Sequence, residues 1–583
     1  MPISVSGRTW SEKNINERLV YKYVKDFEIS DTLARIIVSR EIPESEVMSF
    51  LHPKIRDLLP DPFHLKDMEK ACKRVAEAAQ KKEKIIIFGD YDVDGATSSA
   101  LLVRLLENLG VSCKAYIPDR IKEGYGPTIE AMQKFKKEGA DLVITVDCGV
   151  SAFAPASFAK EIGLDLIILD HHLSEITLPD AYAIVNPNRF DEETEYKYLA
   201  AVGVCFLFSV GLVRILRNMD FFRQRQEPDL MTLLDLVALG TICDMMPVTG
   251  INRAFVVQGL KIMSNGNNLG IKLLAEFGKI DGKFSAYHLG FIIGPRINAG
   301  GRVGESFLGS FLLSTKDMDD AYQMASKLEQ YNEERKLIEQ AIIEEAVIMA
   351  ESQHDKPYIL VHSENWHQGV IGIVAGKLKE RYQKPAIAIS VESGIGKASC
   401  RSIKGINLGH KISEAKELGV ISSGGGHAMA AGFVVDIEKI DALKAFFDDA
   451  IGVDSHLGEE NNRKFYDAIV SPGGVTIELA KEIETLEPYG NGNEEPIILV
   501  EGLYVLKANI ANNKHIMCLL APDREAVGTK PIRAVCFNAL GTQIADALLS
   551  QKPLKLSVLC NIKVNNWQGN QSPQISIYDL IVN

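Results

Sequence analysis

Three continuous apolar runs, each ending in acids or imidazoles, constrain this 583-residue chain more than any other feature. IIIF (85–88) runs into GDYDVDG (89–95), LVITV (142–146) into DCG (147–149), and LIIL (166–169) into DHH (170–172). CKAYI (113–117) and AYAIV (181–185) add two more runs, with helical patterns between most of them. An amphipathic helix over about 67–81, with Met68, Ala71, Val75 and Ala78 at helical spacing, precedes the series. Uninterrupted apolar strands alternating with helices predict an α/β fold with a mainly parallel sheet covered on both faces. Ligands of such sheets collect beyond the carboxyl ends of the strands, so the acids share one rim.

The chemistry follows from which groups share that rim. Asp90, Asp92 and Asp94 alternate in a short span between a strand and a helix expected to start near Ala96. Carboxylates this close repel one another unless a cation neutralises them. A calcium loop of the EF-hand kind needs a preceding helix and a Glu at its twelfth position, whereas here a β run precedes. Asp147 by itself reads as structural, because an Asp after a buried strand often just caps the next helix. Asp170-His171-His172 is more specific, because imidazole is the commonest transition-metal ligand. Oxygen and nitrogen donors without thiolate suit Mn2+ or Mg2+, and manganese matches imidazole better. A bridging carboxylate such as Asp147 would hold two ions roughly 3.5 to 4 Å apart, activating a shared water and clamping a phosphoryl group. That is phosphodiester or phosphoanhydride hydrolysis. Asp244, in LGTICDMMP (239–247), reads as a further ligand or as a helix C-terminal feature.

Charge and cysteine usage narrow the classes. Lys and Arg number 64 against 77 Asp and Glu, a net −13, so any polyanion must be met by a local patch rather than the overall field. Nine cysteines are scattered without a CxxC pair, which argues against a zinc site or disulfide framework. No apolar stretch reaches the ~18 residues of a membrane span and the N-terminus lacks an apolar signal core, so a cytoplasmic protein is expected.

The layout read from the chain has five parts. Residues 1–60, with Pro43, Pro53 and Pro60, form an appended N-terminal region. Residues 61–270 are the first α/β domain, helix-rich from 199 to 263. Residues 271–352 connect onward through one helix over 316–352, roughly 55 Å long, with Ser314 and Asp317 as a capping box and the role of a spacer. A second α/β domain spans 353–453, with strands YILVH and AIAIS, a helix through 369–382 and the Gly-rich SSGGGHAMAAGF (422–433). After the polar stretch 454–464, short strand-like runs to 583 suggest a small β-barrel.

The order GDYDVDG, VDCG, DHH, GTICD resembles the four motifs of the DHH phosphoesterase superfamily. That superfamily includes exopolyphosphatases, manganese pyrophosphatases, phosphodiesterases of short oligonucleotides and cyclic dinucleotides, and RecJ exonucleases. Phosphatase branches usually carry a His and then Pro-Asp-x-Asp in the first motif, whereas Asp90-Tyr91-Asp92-Val93-Asp94-Gly95 looks like the RecJ form. Similar stretches extend along nearly the whole chain: LHPKIRDLLPDPFHLKDME (51–69), YIPDRIKEGYG (116–126), GPRINAGGR (294–302), WHQGVIGIVAGKL (366–378), SCRSIKGINL (399–408), SGGGHAMAAGF (423–433) and PYGNGNEEP (488–496). Gly300 departs from the Ala more usual there.

The resemblance implies one ion on Asp90, Asp92 and Asp147 and a second on Asp94, Asp147, His171 and Asp244. It implies that His172 contacts the scissile phosphate, with Asp170 orienting an imidazole from outside the ligand set. The second α/β domain then resembles the DHH-associated domain. There Ser399 and Arg401, joined by Arg120, suit a terminal 5′ phosphate. Gly425 and Gly426 present amides to an anion beside His427, or make a tight turn. Arg296, Asn298 and Arg302 would line the nucleic-acid path, or form a structural turn. The third block resembles an oligonucleotide-binding (OB) barrel. Eight Lys and Arg against five Asp and Glu over 501–583 make it locally basic, and Tyr504, Phe537, Trp567 and Tyr578 are candidate stacking platforms or core.

The activity implied is a two-ion, single-strand-specific 5′ to 3′ DNA exonuclease of repair and recombination. A monomer working beside a helicase and single-strand-binding protein is expected. The rivals are a phosphodiesterase of short oligonucleotides or cyclic dinucleotides, and a nucleic-acid-binding scaffold without catalysis.

Overall fold

The computed structural model describes residues 3–120, 122–452, 463–523, 530–550, 552, 554–567 and 569–583. Two units emerge, one of residues 1–59, 247–257 and 458–583, the other of 60–246 and 258–457. Strand β1 (Thr9–Glu12) and helices Glu17–Phe27 and Asp31–Ser39 open the chain.

In the second unit the five apolar runs form a parallel sheet. Its strands are β2 (Ile85–Gly89), β3 (Cys113–Tyr116), β4 (Leu142–Val146), β5 (Asp165–Leu169) and β6 (Ala183–Val185), in the spatial order 3-2-4-5-6. Every residue of β2 and β4 is buried, as continuous apolar runs require of a sheet covered on both faces. The strand order reverses beside β2, and the acid-bearing loops leave β2, β4 and β5 at their carboxyl ends. The helix after β2 starts at Val93 rather than near Ala96, because Asp92 caps it by accepting from the Gly95 amide at 3.1 Å. Asp94 therefore stands on its first turn and not in a loop.

Helix Met318–Glu351, 34 residues, is capped by Asp317 alone, which accepts from the Asp320 amide at 2.9 Å. The expected capping box is absent, since Ser314 ends the preceding helix Leu308–Ser314 and bonds the Ser310 carbonyl. Nor is the long helix a bare spacer. Ala321, Ala325, Leu328, Ile342, Ala346 and Ala350 are buried along it, and it packs on Leu269–Phe277, Gly294–Val303 and Leu308–Ser314 before it and on Ile371–Tyr382 of the second α/β block.

The second α/β block is a mixed five-stranded sheet. Strands β7 (Ile359–Ser363), β8 (Ala386–Glu392), β9 (Ile395–Arg401), β10 (Ser423–Gly426) and β11 (Ala430–Asp436) lie in the order 10-11-9-8-7, and only β7 and β8 pair in parallel. The expected helix runs over Ile371–Tyr382. SGGG forms the edge strand β10, not a turn, and glycine is required there. A Cβ on Gly424 would stand 2.7 Å from that of Phe433, and one on Gly426 would lie 2.5 Å from the Ala431 Cα.

The polar stretch 454–464 lies outside the described residues up to 462. Beyond it come β12 (Arg463–Tyr466), β13 (Ala468–Val470), β14 (Ile498–Ala511), β15 (His515–Ala521), β16 (Ile532–Cys536), β17 (Lys555–Trp567) and β18 (Asn570–Val582). Pairing of β14 with both β15 and β17 closes β14-β15-β16-β18-β17 into a barrel. A closed barrel leaves no ladder edge open.

Residues 1–60 are not an appendage. β1 pairs in parallel with β12, and Val20, Tyr23, Leu33, Ile36 and Ile37 share one apolar core with barrel residues such as Val500, Leu520 and Val558. Arg253, within 247–257, is buried and donates to the carbonyls of Phe50, Thr485, Leu486 and Glu487.

Candidate metal centre

The carboxyl ends of β2, β4 and β5 and the end of helix Leu234–Cys243 bring seven side chains together. His171 is the hub. Its Nε2 lies 3.3 Å from Asp147 Oδ1, 3.4 Å from Asp244 Oδ2 and 3.9 Å from Asp94 Oδ2. Three groups each have ligand atoms within 4.8 Å of one another: Asp90, Asp92 and Asp147; Asp94, His171 and Asp244; Asp147, His171 and His172. Asp147 belongs to two of them.

Local structure aims each group. Asp147 adopts φ +60°, a left-handed conformation uncommon for a residue with a side chain, directly after β4. Its neighbour Gly149, at φ +112°, has room for no Cβ, which would fall 2.7 Å from Thr145 Oγ1. Gly95 lets the loop fold over Asp90, since a Cβ there would meet the Asp90 carbonyl oxygen at 2.4 Å. Asp94 Oδ2 and Oδ1 accept from the amides of Ala201 and Val202, at 2.6 and 3.0 Å, at the start of helix Ala201–Asn218. Free amides and the dipole of a helix N-terminus favour a carboxylate there.

The electrostatics demand a cation. Burial first, then the neighbouring acids, pushes Asp90 and Asp147 well above the usual carboxylate range, Asp94 up to about 7 and Asp244 up to about 9. Asp90 Oδ1 and Asp244 Oδ2 are buried and receive no hydrogen bond. Four crowded acids, two of them with unmet lone pairs, fit hard divalent ions, which replace the missing positive charge.

The two histidines differ. Burial lowers His171 to about 4, keeping it neutral with a lone pair to offer. Burial works against His172 too, yet the Asp170 hydrogen bond and surrounding acids lift it to about 9, so it carries a proton at neutral pH. Asp170 Oδ1 takes His172 Nδ1 at 2.8 Å and the amides of His171 and His172, while Oδ2 takes the Val150 amide at 3.0 Å. Although burial opposes it, these bonds and the His172 charge hold Asp170 below the ordinary carboxylate value.

Anion-binding candidates collect beside the acids. Arg120 covers the Tyr91 ring at 5.0 Å. Arg302 donates to the Gly369 carbonyl at 3.1 Å; burial, then the charges of Arg120, Arg335 and Arg401, drop it to about 10. Arg401 Nη1 reaches Ser399 Oγ at 3.2 Å, and Gly372 leaves both uncovered, its Cβ position being 3.1 Å from Ser399 Oγ. Arg120, Arg302 and Arg401 make a local cationic patch in an acidic chain, while Arg335 near them is paired with Glu339 at 2.5 Å. A cavity of about 500 Å3 opens at His172, lined among others by Tyr125, Gly149, Leu173 and His427. Gly425 lies exposed on β10, and Asn298 is half-buried on helix Gly294–Val303.

Arg296 is a correction. Its guanidinium grips Glu329 at 2.5 and 3.1 Å and the Ile292 carbonyl at 2.7 Å, so its charge is spent within the fold. Tyr578 is tied by its hydroxyl to Asn561 and Glu495, Tyr504 is half-buried and Phe537 is exposed against His515. The Trp567 side chain lies outside the described residues.

Sequence reasoning passed over Tyr125, Asn186 and Asn188. The Tyr125 hydroxyl donates to the Asp147 carbonyl at 3.2 Å. Asn186 and Asn188 hold the carbonyls of His172 and His171, at 2.8 and 2.7 Å. The only signal was Asn-Pro-Asn directly after an apolar strand.

Residues 84–241 match the DHH family, N-terminal domain; 355–452 match the DHHA1 domain and 466–579 the RecJ OB domain. The single-stranded-DNA-specific exonuclease RecJ of Haemophilus influenzae is 35% identical, over 89% of this chain and 91% of its own. The chain belongs to the RecJ family. RecJ of Bacillus subtilis is 34% identical over 99% of this chain and 71% of its own. RecJ of Thermus thermophilus, crystallised with Mn2+, superposes with a TM-score of 0.80 at 27% identity, covering 99% of this chain and 80% of that one. The RecJ match carries the α/β domain, the second α/β domain and the OB barrel together.

Proposed function

We infer that this chain is a metal-dependent exonuclease that hydrolyses single-stranded DNA from its 5′ end, in repair and recombination. The observation that carries the reading is the convergence of Asp90, Asp92, Asp94, Asp147, His171 and Asp244, four of them raised by burial, beside a cluster of arginines. Asp90, Asp92 and Asp147 would hold one Mn2+ or Mg2+, and Asp94, Asp147, His171 and Asp244 the other. When bound, such a pair lowers the pKa of water and neutralises charge on the phosphoryl oxygens.

The chain's own groups supply the rest. His172, kept protonated by Asp170, faces the cavity and donates to a non-bridging oxygen of the scissile phosphate. Asp170 acts through His172, as a positioning residue. Arg120, Arg302, Ser399 and Arg401 receive the 5′ phosphate, whose charge their unneutralised guanidiniums need. His427 would meet the backbone in the same cavity as His172, with Gly425 and Gly426 preceding it on β10 and Asn298 on the path. The OB barrel grips the strand by cations and exposed rings such as Phe537.

Manganese-dependent digestion of DNA labelled at either end tests this. Early release of a 5′ label from single strands and little from duplex is expected. Equal attack on duplex, or release from the 3′ end, overturns the polarity and selectivity. A dinucleotide cleaved faster than a long strand would favour the short-oligonucleotide rival, and manganese-independent silence the scaffold.

The same reading expects a monomer acting with a helicase and single-strand-binding protein in the cytoplasm. Among the described residues one helix, Ala201–Asn218, is long and apolar enough to cross a membrane, and 78% of that window is buried inside the fold.

A further inference from the structure

Two large rings lie open on the surface directly behind the motif that ends in Asp244. Tyr287 and Phe291 are 62% and 71% exposed, with ring centroids 5.0 Å apart and planes inclined by 25°. Paired exposed rings offer an apolar face on which another flat ring can stack.

Their setting says which ring. Ala286–His288, the π-turn Leu289–Ile293 and Gly294–Val303 follow one another without a break as helix. At its start the rod packs on the helix that delivers Asp244. The Cys243 thiol donates to the Leu289 carbonyl at 3.4 Å, and a Cβ on Gly290 would lie 3.6 Å from Ile242 Cγ2. At its far end Gly301 packs under Tyr91, between Asp90 and Asp92, and Arg302 enters the cationic patch. The π-turn adds a residue to the turn, a device that recurs at functional sites. The rod thus runs past the acidic centre with a phosphate-binding arginine at one end and bare rings at the other.

We propose that Tyr287 and Phe291 form a base-stacking platform for the single strand, holding a nucleobase several phosphates downstream of the 5′ end. The proposal rests on the reading of this site as a single-strand exonuclease. Phe291 and Arg302 are eleven residues apart, roughly 16 Å of helix at 1.5 Å per residue. That span exceeds one phosphate step, so a dinucleotide seated at the arginines would not reach the rings. Stacking tolerates any base, which suits an enzyme that must degrade every sequence.

The test is the full-length double variant Tyr287→Ala with Phe291→Ala, and separately Phe291→Trp. Binding of a 5′-phosphorylated oligothymidylate in the absence of divalent metal should weaken about tenfold in the double variant, and stay near wild type in Phe291→Trp. Manganese-dependent cleavage of a 5′-phosphorylated dinucleotide should be unchanged in both, which also reports an intact centre. A fluorescent purine analogue walked along the strand should be quenched at one or two internal positions by wild type and not by the double variant. Wild-type binding in the double variant overturns the platform, and so does parallel loss of long-strand binding and dinucleotide cleavage. Failure of the exonuclease reading is seen separately, as a wild-type protein that does not degrade single strands with manganese.

Discussion

Asp170 shows how much a residue outside the proposed ligand set decides. Its carboxylate keeps His172 protonated and fixes the backbone of both histidines. Asp170→Asn keeps the shape and removes the charge, so the His172 pKa should fall from about 9 toward its ordinary range, as followed by NMR titration of the imidazole. Nuclease turnover at neutral pH should drop about 10- to 100-fold. Asp147→Ala should abolish manganese-dependent digestion, because it removes the carboxylate common to two ligand groups. Undiminished activity in that variant refutes the centre. The acids also predict a pH response of the metal-free protein. Asp94 and Asp244 sit at about 7 and about 9 against the 3.8 of an ordinary aspartate, so the folded state holds protons that the unfolded chain has released. Where the native state binds more protons, stability falls as pH rises, here from about pH 4 toward 9. Melting by calorimetry should show Tm without metal dropping by several degrees across that window, and Mn2+ should restore most at the alkaline end. A metal-free Tm that climbs from pH 5 to 8 contradicts the buried, unneutralised cluster.

At the scale of elements, the start of helix Ala201–Asn218 is the least conspicuous part of the centre. Its own N-cap residue, Ala200, offers no capping side chain, and Asp94, more than a hundred residues upstream, takes its first amides instead. Ala201→Pro is compatible with a first helical position, and Ala200 already holds the extended conformation that a following proline favours. The ring would remove one amide and crowd Asp94. Helix content by circular dichroism should survive, while Mn2+ affinity by calorimetry falls about tenfold or more, the worth of a hydrogen bond to a charged group. Gly95→Ala makes the complementary prediction for the other wall: its methyl would overlap the Asp90 carbonyl oxygen, so manganese binding should be lost with the rest of the sheet intact. Strands of the first sheet were legible within a residue or two, because burial on both faces demands unbroken apolar runs. Helix boundaries were less so. The Val93 start was hidden because Asp92 reads as a ligand and caps as well.

For the molecule as a whole, the division of the chain differs from its linear layout. Residues 1–59 complete the core of the C-terminal barrel, and 247–257 lend it Arg253. A chain cut after 457 should therefore expose Val20, Ile36 and Ile37, bind hydrophobic dye and aggregate, whereas removal of 1–59 as well should lessen the dye binding. Equal, low dye binding by both truncations would show the N-terminal helices to be self-sufficient. By itself the sequence determined the chemistry: which strands are buried, which ends carry acids and imidazoles, and that the donors lack thiolate. These are local properties, written in period and residue type. Tertiary structure alone decided that Arg296 is spent on Glu329 while Arg302 forms no ion pair among the described residues, that one histidine of the pair is neutral and the other charged, and that the chain's two ends share a core. Each of those depends on which distant group supplies a charge, a hydrogen bond or an apolar face, and spacing along the chain carries no record of that.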